Sequence, residues 1–420
     1  MSERIIIEFA DYEAKKKEEG KKEEDRIIID LDETKEKVEV DNIEESYEEK
    51  ILKSRIDSFS AGNAHLSNSY ESNLKFPEGI EQGFRKRFSL NLKDEFFNSV
   101  LENNRFIILS SKSGNVYLAD RFSGKINDKI FFEYESFEKT GLVYQNTIYV
   151  NSLKRIFEIS DTGLRWKEIY DSGNESFIWS NLNRYKENIL FIEYSNANRR
   201  SVLKLVNIKD PSEITEFNFD VQSFVSDKIC VANECAFVLV DSNILIYDLE
   251  RMTGAIHPLD IKTDENSFIF YLNYRIYITS HLNEIYYLDL PPLNYRFKYS
   301  GIKNNYINSI GGFGDNVFIG TLDGWKYYKT SGLSVYHFDD EYENKIESIN
   351  KNVLIISKKN KIVFCNLNRF QEAESYTISS NENNESIEII SAIISNNEIF
   401  VLTKNGILET FTNDKLNIHI

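Results

Sequence analysis

The chain has 420 residues, 41% hydrophobic and 28% charged, with 50 Lys and Arg against 67 Asp and Glu and a net charge of −17. This length and apolar content suffice for one large domain or two ordinary ones with a buried core. The acidity argues against nucleic acid and anionic membrane as partners, because both are bound through clustered Lys and Arg. A protein partner, and in particular a basic one, suits the charge better.

The sequence indicates a cytoplasmic location. Three cysteines are an odd number and too few for a disulfide scaffold, which favours a reducing compartment. The first apolar piece, 5–7, is too short for the hydrophobic region of a signal peptide. The longest apolar run, 235–240, is far shorter than the roughly 20 residues of a transmembrane helix.

Residues 1–42 are predicted to form an acidic, largely disordered tail. Residues 1–50 contain 10 Lys and Arg against 19 Asp and Glu, about half of the acidic excess. The run 15–25 has no apolar side chain. It therefore cannot bury apolar surface to offset the entropy that ordering the chain would cost. Two short β-branched segments flank this run, and we expect that each can pair with an exposed sheet edge as an added strand.

Residues 43–59 are predicted to form an amphipathic helix, because apolar residues recur there at three- and four-residue steps. We expect the stripe to pack on a folded domain or a partner, which makes Tyr47, Leu52 and Phe59 candidate partner-binding residues. Residues 60–96, rich in Asn, Ser and Gly, are predicted to be a linker.

From residue 97 to 420 the chain reads as short strands of Val, Ile, Phe and Tyr separated by polar turns. A pair of strands recurs eight times at a period near 40 residues, which is typical of β-propeller blades of about four strands each. We therefore predict an all-β propeller with eight blades, with seven as the alternative and a pair of β-sandwiches as the competing fold. Equivalent strands of the eight units are predicted near Ile107, Tyr149, Phe191, Val238, Ile278, Phe318, Ile355 and Phe400.

The units resemble repeats of the pyrroloquinoline-quinone-like propeller family, in which a Gly turn precedes a strand that ends near an Asp, a Ser-Gly or Thr-Gly turn and an aromatic residue. The best match is 113–120 followed by Ser123-Gly124, and the resemblance implies that Trp166 acts as a docking tryptophan. The other fragments are Asp161-Thr162-Gly163, Asp248 with Thr253-Gly254, Asp323-Gly324, and Ser331-Gly332 with Tyr336.

The family includes quinoprotein dehydrogenases, whose sites use a vicinal cysteine pair and calcium ligands. Here Cys230 and Cys235 are not adjacent, so we expect no such cofactor. The five histidines show no i,i+2 or i,i+4 pairing for zinc, and we expect neither a metal nor catalytic residues.

Recognition by the surface is the remaining possibility. The turn 195–200 is long and ends in Arg199 and Arg200, while Trp325 follows an Asp-Gly turn, and Arg and Trp are enriched at binding hot spots. The alternative is a solvated turn and a tryptophan packed between blades.

We therefore expect a non-catalytic protein-interaction module or adaptor. The alternatives are an immunity or inhibitor protein that neutralises a basic toxin, and a hydrolase or lyase with a site at the propeller pore.

Deletion of residues 1–42 is expected to leave the melting temperature nearly unchanged but to weaken partner binding. The loss should be larger at low salt, where the tail's charge is less screened. Calorimetry and binding titrations at two ionic strengths measure both effects. Unfolding of the truncated chain, or undiminished binding at every salt concentration, would contradict this role.

Overall fold

The computed structural model describes residues 84–103, 105–160, 165–219, 225–290, 297–304, 306–330, 335–350, 353–367, 371–378, 387–395 and 398–412. These residues form eight antiparallel sheets, one for each predicted unit, and the chain is an eight-bladed β-propeller. The predicted all-β class and blade number are confirmed, and the pair of β-sandwiches is excluded.

Each sheet is a blade, numbered here in chain order, with its strands given from the innermost outward. Blades 1–4 consist of Leu101–Glu102, Phe106–Ser110, Asn115–Asp120 and Ile126–Phe131; Leu142–Tyr144, Thr147–Asn151, Arg155–Ile159 and Trp166–Asp171; Ser176–Ile178 with Asn183–Tyr185, Asn188–Ser195, Arg200–Asn207 and Ile214–Asn218; and Val225–Ala232, Cys235–Val240, Asn243–Asp248 and Thr253–Pro258.

Blades 5–8 follow the same order. Their strands are Ile269–Leu272, Arg275–Thr279, Glu284–Asp289 and Lys298–Lys303; Ser309–Phe313, Asn316–Thr321, Gly324–Lys329 and Val335–Asp339; Lys345–Ile349, Val353–Lys358, Lys361–Asn366 and Gln371–Thr377; and Ile389–Ser395, Glu398–Thr403, Ile407–Thr412 and Arg85–Asn91.

The second strand of each blade is buried on both faces, which explains why it reads as a continuous apolar run. In 106–110, Phe106 and Ile108 pack toward blade 2, while Ile107 and Leu109 pack toward blade 8. The outermost strands are half-exposed and alternate, as in 126–131. All eight predicted equivalent positions lie in second strands.

The core is a ring of apolar clusters between the blades. Among the described residues there are eight such clusters, one at each interface between neighbouring blades, including the interface between blades 8 and 1. The ring is therefore closed.

The family-like motif of blade 1 forms a tight turn in the structure. The Asp120 carboxylate accepts hydrogen bonds from the backbone N–H groups of Phe122 (3.1 Å) and Ser123 (2.8 Å). Trp166 packs edge-on against Phe132, which follows the last strand of blade 1, with ring centroids 4.8 Å apart. Trp166 thus joins blades 1 and 2.

Blade 8 is completed by a strand from the opposite end of the chain. Residues 85–91 pair antiparallel with 407–412, so this segment is the outermost strand of the last blade. It falls within the predicted linker 60–96, and the linker prediction is therefore corrected over 85–91. The helix 43–59 and the tail 1–42 lie outside the described residues.

Buried ion pairs join the closing strand to the second strand of blade 8, and that strand to blade 1. Arg121 of blade 1 is almost fully buried, and its Nε lies 2.8 Å from Glu398 Oε2 of blade 8. Arg87 of the closing strand binds the same carboxylate, and Arg121 also binds Glu102. Burial raises the pKa of the Glu102 carboxyl, while Arg121 opposes that rise.

Arg121→Met is expected to cost about 3–5 kcal/mol of unfolding free energy, because the Glu102 carboxylate loses its cation and Glu398 keeps only Arg87. Urea denaturation measures the loss.

The matched control is Arg155→Met, since Arg155 also forms ion pairs, with three carboxylates, but its side chain is 41% exposed. We expect it to cost less than about 1 kcal/mol. Equal losses for the two variants would contradict an important role of the closure ion pairs.

Candidate functional site

The propeller has two loop-bearing faces. In each four-stranded meander, the turn between the second and third strands lies at the same end as the connection to the next blade. We call this end the loop face and the other end the opposite face. Backbone hydrogen bonds join neighbouring loops of the loop face, as from Lys112 N to Glu95 O (2.9 Å) and from Phe96 N to Lys404 O (2.9 Å).

A Ser or Thr hydroxyl recurs in the turns of the loop face and stabilises them by hydrogen bonding. In four blades a Ser or Thr at the end of the second strand accepts a hydrogen bond from the backbone N–H at the start of the third strand. The pairs, acceptor first, are Ser111 with Asn115, Ser152 with Arg155, Ser280 with Glu284, and Thr403 with Ile407. In blade 6, Thr321 is hydrogen-bonded to Gly324 O at 2.9 Å.

Exposed apolar side chains gather on the loop face over blades 5–7. We call this surface the ledge and define it as the turns 280–283 and 321–324, the connections 306–308 and 339–344, and Lys359. Its large apolar side chains are Leu282 (49% exposed), Tyr306 (38%), Leu322 (53%) and Tyr342 (42%).

Hydrogen bonds connect the first half of the ledge. Asn283 beside Leu282 accepts from Asn304 N at its carbonyl (3.1 Å) and from Ile307 N at its side chain (3.1 Å). Asn308 Nδ2 then donates to Glu343 Oε1 (2.9 Å). Blades 5 and 6 are thereby tied to the connection that enters blade 7.

The second half of the ledge is joined in the same way. Asp340 N donates to Asp323 O (3.0 Å), and Asn344 N donates to Thr321 O (2.9 Å). Lys359 of blade 7 lies over the Tyr342 ring at 3.8 Å from its centroid. The four exposed apolar residues therefore lie on loops that hold one another.

The ledge carries an excess of negative charge. Its described residues include five carboxylates, and the lysines close to them include Lys326, Lys358 and Lys359. These carboxylates belong to Asp323, Asp339, Asp340, Glu341 and Glu343.

Two of these carboxyl groups have lowered pKa values. A hydrogen bond from the Thr321 hydroxyl (2.7 Å) lowers the pKa of Asp323. Burial alone would raise the pKa of Asp340, but its hydrogen bond and ion pair with Lys358 lower it. Both groups are therefore anionic at neutral pH.

Trp325 lies beneath this surface, not on it. The side chain is 1% exposed and stacks on Phe338, with ring centroids 4.0 Å apart and planes 5° apart. Gly324 has φ +131°, and an added Cβ would overlap the carbonyl oxygen of Phe338, so only glycine allows this approach. The proposal of Trp325 as a partner contact is corrected: the ring fills the core between blades 6 and 7.

Arg199 and Arg200 are exposed at the tip of the blade 3 hairpin on the loop face. The two long strands, 188–195 and 200–207, carry them there, and Asn196 N donates to Glu175 O (2.8 Å). Neither arginine forms an ion pair with another described residue, so both stay candidates for partner contact. Tyr47, Leu52 and Phe59 lie outside the described part of the chain.

Lysines and carboxylates near the inner strands form ion pairs. Lys139 Nζ, before the first strand of blade 2, lies 3.1 Å from Asp227 Oδ2 in the first strand of blade 4. Burial would raise the pKa of Asp227, but Lys228 and Lys139 lower it. An acid held ionised in this way is poorly matched to general acid catalysis.

Within the described ranges, no three His, Cys, Asp or Glu residues converge as a metal-binding group. Cys230 and Cys365 are buried, and burial raises the pKa of the Cys230 thiol to about 12. No described segment forms a helix long and apolar enough to cross a bilayer.

Solved structures share this fold. The computationally designed Ika8 protein has a TM-score of 0.61, and BamB from Moraxella catarrhalis has a TM-score of 0.55. Each is 11% identical to this chain, with 78% of this chain and 99% of the other covered. At that identity the likeness shows the propeller fold alone, and the pyrroloquinoline-quinone-like character of the repeats stays a prediction. No protein-family model and no curated protein matches the sequence.

Sequence reasoning missed the apolar residues of the ledge. Leu322 interrupts a polar turn between Thr321 and Asp323, and Tyr342 does so between Glu341 and Glu343. Large apolar side chains inside turns that face water are the signal that would have found them.

Gly324→Ala is expected to disturb the ledge, because the turn bearing Leu322 cannot keep its place when a Cβ meets the neighbouring strand. The matched control is Gly314→Ala, where φ is also positive (+55°) but no atom lies within 4 Å of the added Cβ. We expect the control to cost about 1–2 kcal/mol and Gly324→Ala to cost about 1–3 kcal/mol more. Urea denaturation of both variants measures the difference, and equal costs would show that this close approach is unimportant.

Proposed function

We propose that the protein is a non-catalytic interaction module that binds a protein partner through the ledge. The observation that carries the proposal is the set of four exposed apolar side chains on hydrogen-bonded loops over three adjacent blades. Large apolar residues grouped at a surface are typical of protein interfaces, where tyrosine is enriched. The small number of cysteines, three in 420 residues, supports a cytoplasmic, reducing location for this function.

The rigidity of the face supports a binding role. The loops connect strands that are buried on both faces, so they are already ordered. Binding a partner therefore costs little conformational entropy. Arg199 and Arg200 lie on the same face and could contact a large partner outside the ledge.

An immunity or inhibitor protein directed at a basic toxin is the second candidate function. The carboxylates of the ledge favour it, because a cationic protein would be steered to this face. It differs from an adaptor in its consequence, since a bound toxin would lose its activity.

Affinity capture from cells of the source organism tests the proposed interaction. The full chain, the ledge variant Leu322→Ser with Tyr342→Ser, and the control Ile214→Ser with Tyr274→Ser serve as baits. Ile214 and Tyr274 are exposed apolar residues at turns of the opposite face. We expect a specific partner whose recovery falls roughly tenfold or more with the ledge variant and stays unchanged with the control.

Two results would contradict the proposal. One is a partner recovered equally by all three baits, which would place the binding surface elsewhere. The other is the absence of any protein enriched by the wild-type chain over the ledge variant, with both baits shown to be folded by urea denaturation.

A further inference from the structure

We infer that the ledge binds a lysine- or arginine-rich polypeptide segment with apolar side chains between its bases. This inference rests on the proposed function and specifies the chemistry of the partner. Neither the fold nor the similar structures indicate that chemistry, which follows from the apolar and charged groups that share this surface.

Apolar and acidic groups alternate along the connection into blade 7. Tyr342 is exposed between Glu341 and Glu343, which are also exposed. In the adjoining turn, Leu322 is exposed beside Asp323. A segment in which an apolar side chain is flanked by lysines or arginines matches this pattern.

The negative charge is only partly compensated within the protein. Lys358 pairs with Asp340, and His337 lies between Asp323 (Nε2 to Oδ1, 4.0 Å) and Asp339 (Nδ1 to Oδ1, 3.2 Å). Glu341 and Glu343 form no ion pair with a lysine or arginine of the described residues. Their charge is available to a cationic partner and would repel an acidic one.

The ledge also provides a surface for the stems of basic side chains. Lys359 already lies over the Tyr342 ring, at 3.8 Å from its centroid. The exposed Tyr306 offers a second ring on the same loops. Lysine and arginine pack on such rings through their stems and by cation–π attraction.

Fluorescence anisotropy with two synthetic peptides tests the inference on the full chain. The basic probe is a fluorescein-labelled peptide of four Lys-Lys-Leu repeats, and the acidic probe has four Glu-Glu-Leu repeats. We expect the basic probe to bind and the acidic probe not to bind. The affinity for the basic probe should fall when NaCl rises from about 50 to about 300 mM, because screening weakens exposed charge pairs.

A charge-matched pair of variants locates the binding. Asp323→Asn, Glu341→Gln and Glu343→Gln together remove three of the five carboxylate charges of the ledge and keep side-chain shape. The control neutralises three exposed carboxylates at turns of the opposite face, with Glu213→Gln, Glu234→Gln and Asp315→Asn. We expect a roughly tenfold weaker affinity for the ledge triple variant at low salt and less than a twofold change for the control.

Three outcomes would overturn the inference. Equal weakening by the two triple variants would show diffuse attraction to the net charge. Equal binding of the acidic and basic probes would show that charge does not determine binding. Absence of binding of the basic probe at low salt would exclude a basic, partly apolar segment as the ligand. If the partner captured by the full chain is still lost with Leu322→Ser and Tyr342→Ser, the interaction function stands and only its basic specificity falls.

Discussion

The pairing of 85–91 with 407–412 is the constraint on which the rest of the structure depends. Each blade buries its two faces only against its neighbours, so an open ring would expose the faces of two blades to water. The closing segment seals both sides of blade 8. Phe84 enters the cluster shared with blade 7, while Phe88 and Leu90 pack on the cluster shared with blade 1.

Closure also determines how well the ledge is held. The ledge has no core of its own, and its loops depend on the second and third strands of blades 5–7 beneath them. The buried Trp325 illustrates this dependence, because its stacking on Phe338 fixes the start of the strand that follows the Leu322 turn. A surface supported in this way is already ordered before a partner arrives, which lowers the entropic cost of binding.

The fold could be predicted from sequence because the central strands are buried on both sides. Runs such as 106–109 and 235–240 are unbroken by polar residues, and their recurrence identified eight blades. The closing strand was missed because it is half-exposed, begins with Arg85-Lys86-Arg87, and has its partner at the far end of the chain.

The candidate site was harder to predict from sequence than the fold, because the accessibility of a residue in a turn depends on tertiary contacts. Arg199 and Arg200 were candidate partner contacts on a turn longer than its counterparts, and they are exposed at the tip of the blade 3 hairpin. Trp325 was a candidate contact residue, but its ring is buried and stacks on Phe338 of the next strand. Leu322, two residues before Gly324, is exposed instead.

The position of the closing strand has a consequence for biosynthesis. Lys86 and its partner Glu409 lie 323 residues apart, so the first strand of the ring leaves the ribosome long before the last blade exists. At about 5–20 residues per second, the intervening chain takes roughly 15–65 s to make. During that interval blades 1–7 can stack progressively, whereas the strand that seals the ring has no partner. Joining the two ends is therefore the final step of assembly, and a nascent chain released early would carry an unpaired, aggregation-prone edge.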